Sequence, residues 1–418
     1  MLSLVLAGEL IFSLPYHTTR FFRPTFLQVF ELSNTQLGDM FAVYGITAML
    51  AYFPGGVIAD HYSPRSLMTF SLFATAAGGL YMATIPGQVQ LTLLYGFWGI
   101  STILLFWSAM ISATRQWGGR RSQGKAFGIL DGGRGLVAAA VAVLAVAALS
   151  LYMPDDMSQV SGSQRLQGFR AVILLYTAAT ASAGVLIWLV LPRSVDTTQA
   201  VINPVAGMLA VMRRPIVWAQ ALIIVCAYCG FKGSDNYSLY AVQVLGMDEV
   251  AAAKFTAYAS YLRPVGAVAA GIVADRFAAS KVITVTFIVL ILCYVLLTIA
   301  APSAAWTNII FANLLISYFA VFALRGIYFA LLEESQTPHH LTGSTVGFIS
   351  LVGYTPDIFF APIGGRLLDS GTVLIGHQRY FMFLTALAIL GFVAVSYLIW
   401  LKHRNPNQIR KQLGFNEE

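Results

Sequence analysis

Gly56-Val-Ile-Ala-Asp60-His-Tyr-Ser-Pro-Arg65 is a short polar interruption between two long apolar runs, and half a chain later the device returns as Gly271-Ile-Val-Ala-Asp275-Arg276-Phe-Ala-Ala-Ser-Lys281. Each copy follows the second apolar run of its half. Punctuation that repeats together with its flanking runs implies a duplicated architecture of two related halves, six apolar segments in each. Internal repetition of this kind in a hydrophobic chain points to transport.

Composition fixes the solvent. With 58% hydrophobic residues, 10% charged and a mean hydropathy of +0.73, the chain has more apolar side chain than a soluble domain could bury, so it is an integral membrane protein. A spanning helix needs about 20 mainly apolar residues to cross ~30 Å of hydrocarbon. About twelve such runs are present. They are read at 2–30, 37–59, 66–85, 89–113, 124–150 and 168–191 in the first half, and at 216–244, 250–274, 281–300, 304–332, 343–368 and 379–401 in the second. The expected fold is an all-α membrane protein of twelve transmembrane helices in two pseudo-symmetric six-helix bundles. The bundles take residues 1–191 and 216–401, with a cytoplasmic linker at 192–215 and a cytoplasmic tail at 402–418.

The repeated loop resembles the signature of the major facilitator superfamily, Gly-x-x-x-Asp followed by basic residues. In that family it lies between helices 2 and 3 and, more weakly, between helices 8 and 9. His61 and Ser63 depart from the pattern, and Arg65 keeps its last basic position. The resemblance implies a gating role for Gly56, Asp60 and Arg65 and for Gly271, Asp275 and Arg276. Asp60 is expected to pair with Arg115, at the end of helix 4, or else to cap helix 3.

Other classes are excluded motif by motif. Cys226, Cys229 and Cys293 all fall in apolar runs, so Cys226-Ala-Tyr-Cys229 reads as helix packing rather than a redox or metal site. Gly132-Gly-Arg-Gly135 has no following Gly-Lys-Ser/Thr and no preceding strand, so it is not a phosphate loop, and no ATP-driven pump is indicated. No metalloprotease or nucleophile-elbow motif occurs, and no enzyme activity, cofactor or metal is expected. The net charge of +7 marks topology, not nucleic acid. With the Gly56 loop in the cytoplasm most Lys and Arg fall on that side, and only Arg165, Arg170, Lys254 and Arg379 fall outside. Both termini are then cytoplasmic. The first run carries Glu9, His17 and Arg20 without a basic leader, and reads as a retained helix. A monomer in the inner cell membrane is expected.

A charge at the centre of a spanning helix costs about 2.5 to 3.5 kcal/mol, so each one asks for a partner or a function. Helix 1 carries His17, Arg20 and Arg23, helix 5 Asp131 and Arg134, helix 7 Lys232 and Asp235, and helices 8, 10 and 11 carry Arg263, Arg325 and Asp357. Arg23 and Arg366 lie shallow enough to reach the headgroups. Asp131 with Arg134, and Lys232 with Asp235, share a helical face three residues apart and either neutralise each other or serve function. Arg20, Arg134, Lys232, Arg263 and Arg325 outnumber Asp131, Asp235 and Asp357, which leaves about two positive charges for a mobile anion to balance.

Helix 1, Tyr16-His-Thr-Thr-Arg20-Phe-Phe-Arg23-Pro-Thr-Phe26, together with a basic residue on helix 7, resembles the organic-anion and organophosphate branch of the superfamily. The resemblance implies that Arg20 and Lys232 grip an anion, one from each half. His17, Tyr16, Tyr237, Tyr261, Arg263 and Tyr354 are expected around the substrate, and Asp131, Arg134, Asp235, Arg325 and Asp357 in the charge network. Asp357 is the first choice for a coupling proton. The expected function is secondary active transport of a small organic anion, such as a sugar phosphate, hexuronate, sulfonate or carboxylate, coupled to protons or by exchange. The alternatives are a proton-coupled drug or metabolite antiporter, whose helix 5 proline is missing here, and a non-transporting membrane sensor.

Overall fold

The computed structural model describes residues 1–119, 123–154, 159–193, 211–300, 306–334 and 342–404, excepting the side chains of 53, 60, 123–125, 333 and 342–344. Among the described residues the chain is helical, with no strand. In order it runs α1 (Leu2–Leu10), a π-helical segment (Ser13–His17), α2 (Thr18–Phe21), α3 (Arg23–Val29), α4 (Asn34–His61), α5 (Pro64–Met82), α6 (Gln88–Ile100), a second π segment (Ser101–Trp107), α7 (Ser108–Gly118), α8 (Gln123–Ser150) and α9 (Gly162–Val190). It continues with α10 (Pro215–Gly233), a 3-10 turn (Ser234–Asn236), α11 (Tyr237–Gln243), α12 (Glu249–Ala259), α13 (Leu262–Phe277), α14 (Ala279–Ile299) and α15 (Thr307–Ile327). A further 3-10 turn (Tyr328–Ala330) precedes α16 (Leu331–Glu334), α17 (Thr342–Gly353), α18 (Pro356–Leu368) and α19 (Val373–Arg404).

Eight helical stretches among the described residues are long and apolar enough to cross a membrane: Gln88–Gly118, Ala126–Ser150, Gly162–Val190, Pro215–Gln243, Ala279–Ile299, Thr307–Ala330, Thr345–Leu368 and Val373–Arg404. The chain is a multi-pass membrane protein.

Helix starts follow local chemistry. Ser33 with Gln36, and Ser161 with Gln164, form reciprocal capping boxes at α4 and α9, satisfying two backbone donors each. Asp248 caps α12 by accepting the Ala251 amide at 2.7 Å. The cap of α5, after the Gly56 loop, is Ser63, with Pro64 at the first helical position, where a missing N–H costs nothing.

Several of the long runs are interrupted near their charges, among them the first and the one around 343–368. The first bends through the Ser13–His17 π segment and again at Phe22, whose backbone leaves the helical region ahead of Pro24. The run around 343–368 breaks at Tyr354 and Thr355, so Asp357 stands in the first turn of α18, where the helix dipole favours a carboxylate.

The chain forms two compact units. One comprises the described parts of Met1–Thr198, Ser234–Pro264 and Asp357–His377, and the other those of Gln199–Gly233, Val265–Pro356 and Gln378–Glu418. In the first, α1 packs among α5, α7, α8 and α9 on Leu4, Val5, Leu72, Phe106, Met110, Leu130 and Ile187. Small residues set its closest approaches: an added methyl at Gly45 would overlap the Asp357 carbonyl, and one at Gly365 the Asn34 carbonyl. On α8, Gly133 faces Val5 and Gly135 faces the stem of Arg263, whereas Gly128 and Gly132 have open space. In the second unit Gly391 admits the Phe287 ring beside Cys226, and all three cysteines are free and buried.

Candidate functional site

Glu9 is the centre of a charge cluster among the described residues of the first unit. Its side chain is buried, two turns before the end of the π segment. An ideal α-helix turns once in ~3.6 residues, which leaves positions eight apart off a common face. The wider turn over Ser13–His17 brings His17 round, and its Nε2 lies 3.2 Å from Glu9 Oε1. From α8, Arg134 donates its Nε to Glu9 Oε2 at 3.0 Å. From α13, Arg263 donates Nη1 to Glu9 Oε1 at 3.4 Å and Nη2 to Asp131 Oδ1 at 3.1 Å. Four predicted residues, His17, Asp131, Arg134 and Arg263, are thus brought together by one that was not predicted.

Arg20 sits on the next helical piece and donates its Nε to Asp235 Oδ1, while its carbonyl accepts the Ser238 hydroxyl at 3.1 Å. Asp235 therefore serves a cation in the first sequence half. Tyr16 stacks on Phe41 with ring centroids 5.5 Å apart and meets Tyr44 edge-on at 5.0 Å. Tyr237 is buried, and Tyr261 is partly exposed at the break between α12 and α13.

Two shallow arginines have partners within the protein, and Arg23, being buried, departs from the expectation that it reaches the headgroups. Arg23 is buried and donates Nε and Nη2 to Asn34 Oδ1, each at 3.2 Å. Arg366 forks Asp39 at 2.7 and 3.2 Å. Close by, Asp369 accepts the Asn34 amide and side chain and the Thr35 amide. Burial alone would raise its carboxyl, and these donors outweigh burial and hold it below its ordinary value. Glu249 adds a further junction, accepting Thr25 Oγ1 at 2.6 Å and Arg165 at 3.0 Å.

In the second unit, two cations share one ring. Lys232 Nζ is 5.8 Å and the Arg325 guanidinium 6.0 Å from the Tyr228 centroid, and Arg325 also lies 4.0 Å from the Phe231 centroid. Tyr354 meets the same Tyr228 edge-on at 5.0 Å. At the α16 end, Glu334 takes Lys402 Nζ at 2.6 Å and both the amide and hydroxyl of Ser280. Burial would raise the Glu334 carboxyl, and Lys402 and Ser280 together bring it below its ordinary value.

The repeated loops are less populated with contacts. A methyl added at Gly56 or Gly271 would meet nothing within 4 Å. Arg65 lies 4.2 Å over the Trp188 ring and Arg276 5.6 Å from the Phe277 ring. Asp275 and Arg115 are exposed. Asp60 ends α4 with its side chain outside the described residues, so the Asp60 and Arg115 pair falls outside them too.

The residue that the sequence reading missed as a site residue is Glu9. Its signal was present: it is a carboxylate inside the first apolar run, subject to the same insertion cost that singled out the other charges. Counting it reduces the surplus of buried cations from about two to about one.

The family model described as Major Facilitator Superfamily matches residues 5–355. The chain is 29% identical over 394 residues to the inner membrane protein YqcE of Escherichia coli K12, covering 90% of this chain and 88% of that one. It is 30% identical over 272 residues to the probable nitrate/nitrite antiporter NarK1 of Thermus thermophilus, covering 63% of this chain and 58% of that one. Among solved structures, a D-xylose-proton symporter superposes with a TM-score of 0.75 at 14% identity, covering 95% of this chain and 96% of that one.

Proposed function

The chain belongs to the Major Facilitator Superfamily and is a transporter, not an enzyme, and from that premise we propose that it carries a small organic anion by secondary active transport. The observation that carries this reading is the convergence of Lys232 and Arg325 on the face of Tyr228. Two cations near one ring concentrate positive charge in a membrane interior, and that charge suits the site to an anion. The NarK1 relative, a probable nitrate/nitrite antiporter, supports the same ligand charge. Arg20 is assigned the oxyanion-gripping role in the first unit, since a guanidinium donates two parallel hydrogen bonds. Lys232 is assigned the second charge, and Tyr16, Tyr237, Tyr261 and Tyr354 contact with the carbon skeleton.

The finer architecture belongs to the same proposal: twelve spanning helices in two six-helix bundles, monomeric, with both termini cytoplasmic, in the inner membrane. The two halves alternate access to the substrate, driven by a proton gradient or by exchange. Asp357, in the first turn of α18, is one candidate for the coupling proton.

Uptake into proteoliposomes of a panel of sugar phosphates, hexuronates, sulfonates and short carboxylates tests the reading. Uptake of at least one anion is expected, abolished in Arg20→Gln and in Lys232→Gln. A second reading is favoured by the pairing of Arg20 with Asp235 and of Arg134 with Glu9: with cations so matched, the substrate is neutral, as for a drug or metabolite antiporter. Anion-independent uptake of a neutral solute, retained in both variants, decides for it.

A further inference from the structure

Glu9 occupies the position that a bound anion would take between two arginines. Arg134 approaches Oε2 from α8, and Arg263 approaches Oε1 from α13. The approach is built into the backbone. A methyl at Gly135 would stand 3.0 Å from Arg263 Cδ, and one at Gly8 would stand 3.4 Å from Arg134 Cδ and 2.8 Å from the Met110 sulfur. Each arginine stem thus lies in a notch left by a glycine. Phe12 covers the Arg134 guanidinium at 5.6 Å.

Two features of the cluster bear on proton exchange. One is Asp131, whose side chain is 41% exposed although its partner Arg263 is 6% exposed, with open space beside it at Gly132. The other is His17, whose Nε2 meets Glu9 while its buried Nδ1 has no hydrogen-bond partner. An imidazole bonded at one nitrogen and open at the other is suited to passing a proton to the bonded side.

The charged and titratable groups facing this pair come from every packed element. Arg134 and Asp131 stand on α8 and Arg263 on α13. Arg20 on α2 lies close enough to act on His17, and the Tyr176 ring of α9 meets His17 edge-on at 5.8 Å. From α7 comes the uncharged Met110. Within the cluster the formal charges of Arg134, Arg263, Glu9 and Asp131 cancel when His17 is neutral.

We propose that Glu9 is a tethered surrogate for the transported anion, and that the Glu9–His17 pair is the site at which one proton is exchanged for one negative charge of substrate. The proposal rests on the anion-transport reading above and names the coupling site for it. A proton arriving at His17 Nδ1 forms a new N–H bond, and the Nε2–H bond breaks as its proton passes to Glu9 Oε1. The imidazole is left neutral in its other tautomer, and the carboxylate becomes a carboxylic acid. No electron is transferred. The two arginines then lose one counter-charge, and a substrate anion restores the balance. When the anion leaves, Glu9 gives up the proton and takes the arginines back. Such a cycle makes uptake electroneutral for this cluster and binds proton and anion movement in the same direction.

The test uses the full chain and two readouts. The first is an infrared difference spectrum of the detergent-purified protein between acid and alkaline pH, which needs no substrate. Among the carbonyl bands of the 18 Asp and Glu carboxyls, one component from a carboxyl shielded from water is expected in the wild type and in Asp39→Asn, and lost in Glu9→Gln. A band unchanged in Glu9→Gln, or no such band in the wild type, overturns the inference. The second is transport of whichever panel anion the wild type takes up. Glu9→Gln is expected to retain exchange of labelled for unlabelled anion while losing stimulation by an imposed proton gradient at least tenfold, and Asp39→Asn, at the exposed pair with Arg366, is expected to keep that stimulation. Gradient-driven uptake that survives in Glu9→Gln sinks the inference and leaves anion transport standing. If the wild type takes up no anion, the transport reading falls, and the infrared band still decides whether Glu9 carries the proton. Should Glu9→Gln fail to fold, Glu9→Asp keeps the carboxyl and shifts the band without abolishing it; a band that does not move overturns the assignment.

Discussion

Arg20 and Asp235 form a part-buried ion pair across two sequence-distant helical pieces, the guanidinium Nε donating to the carboxylate. Removing one member of a fully buried pair costs about 3 to 5 kcal/mol and of a part-buried one less, whereas removing both costs little. Arg20→Gln and Asp235→Asn are each expected to lower thermal stability strongly, and the double variant to recover most of the loss. Thermal unfolding of the three proteins in one detergent checks this. Equal and additive losses would show that the two side chains act independently.

Glycines at helix contacts and glycines in the repeated loop should respond oppositely. Gly45→Ala and Gly365→Ala drive a methyl into a neighbouring carbonyl, and both are expected to cut the yield of folded protein several-fold. Gly56→Ala and Gly271→Ala meet open space on a helix, where Ala gains about 1 kcal/mol over Gly in intrinsic propensity. Fluorescence-detected size exclusion of the four variants separates the outcomes, and aggregation of Gly56→Ala would contradict the geometry.

The Glu334 lock carries a pH signature. Its folded-state carboxyl is held below the ordinary value, so its stabilisation is fully present above the unfolded value and is lost as pH falls through the folded one. Lys402→Ala is expected to remove this acid-sensitive component, worth about 1 kcal/mol for so solvent-open a pair. Comparing unfolding at neutral pH with unfolding a little below the ordinary carboxylate range measures it. An unchanged wild-type to variant difference across that window would refute the lock.

Tyr228 offers its face to both Lys232 and Arg325. Tyr228→Phe keeps the ring and should leave stability and anion uptake nearly intact. Tyr228→Leu forfeits cation–π contacts worth about 0.5 to 2 kcal/mol and should weaken uptake several-fold. Indistinguishable uptake in the two variants would show that the ring face plays no part.

Hydropathy made the helices legible, because a bilayer demands long apolar runs whatever their partners. The predicted 124–150 and 168–191 correspond to α8 and α9 within a turn or two. The charged residues were legible as a group for the same reason, but their pairing was not. Sequence spacing set Asp131 beside Arg134 on one helical face, while the structure joins Asp131 to Arg263 and Arg134 to Glu9. Spacing reports neighbours along one helix, and these bonds run between helices. Neither the π turn nor the break before Pro356 leaves a periodic mark, so the meeting of His17 with Glu9 and the first-turn position of Asp357 had to be seen.

The Ser13–His17 segment is, in bookkeeping of length, an α-helix with one residue too many. Deleting a single residue there would let the first helix close into regular turns and swing everything before it round the axis. Glu9 would then face away from His17 without any change in either side chain. Relatives of this chain can therefore be sorted by whether they carry the extra residue, and those one residue shorter would hold the same letters with a different wiring.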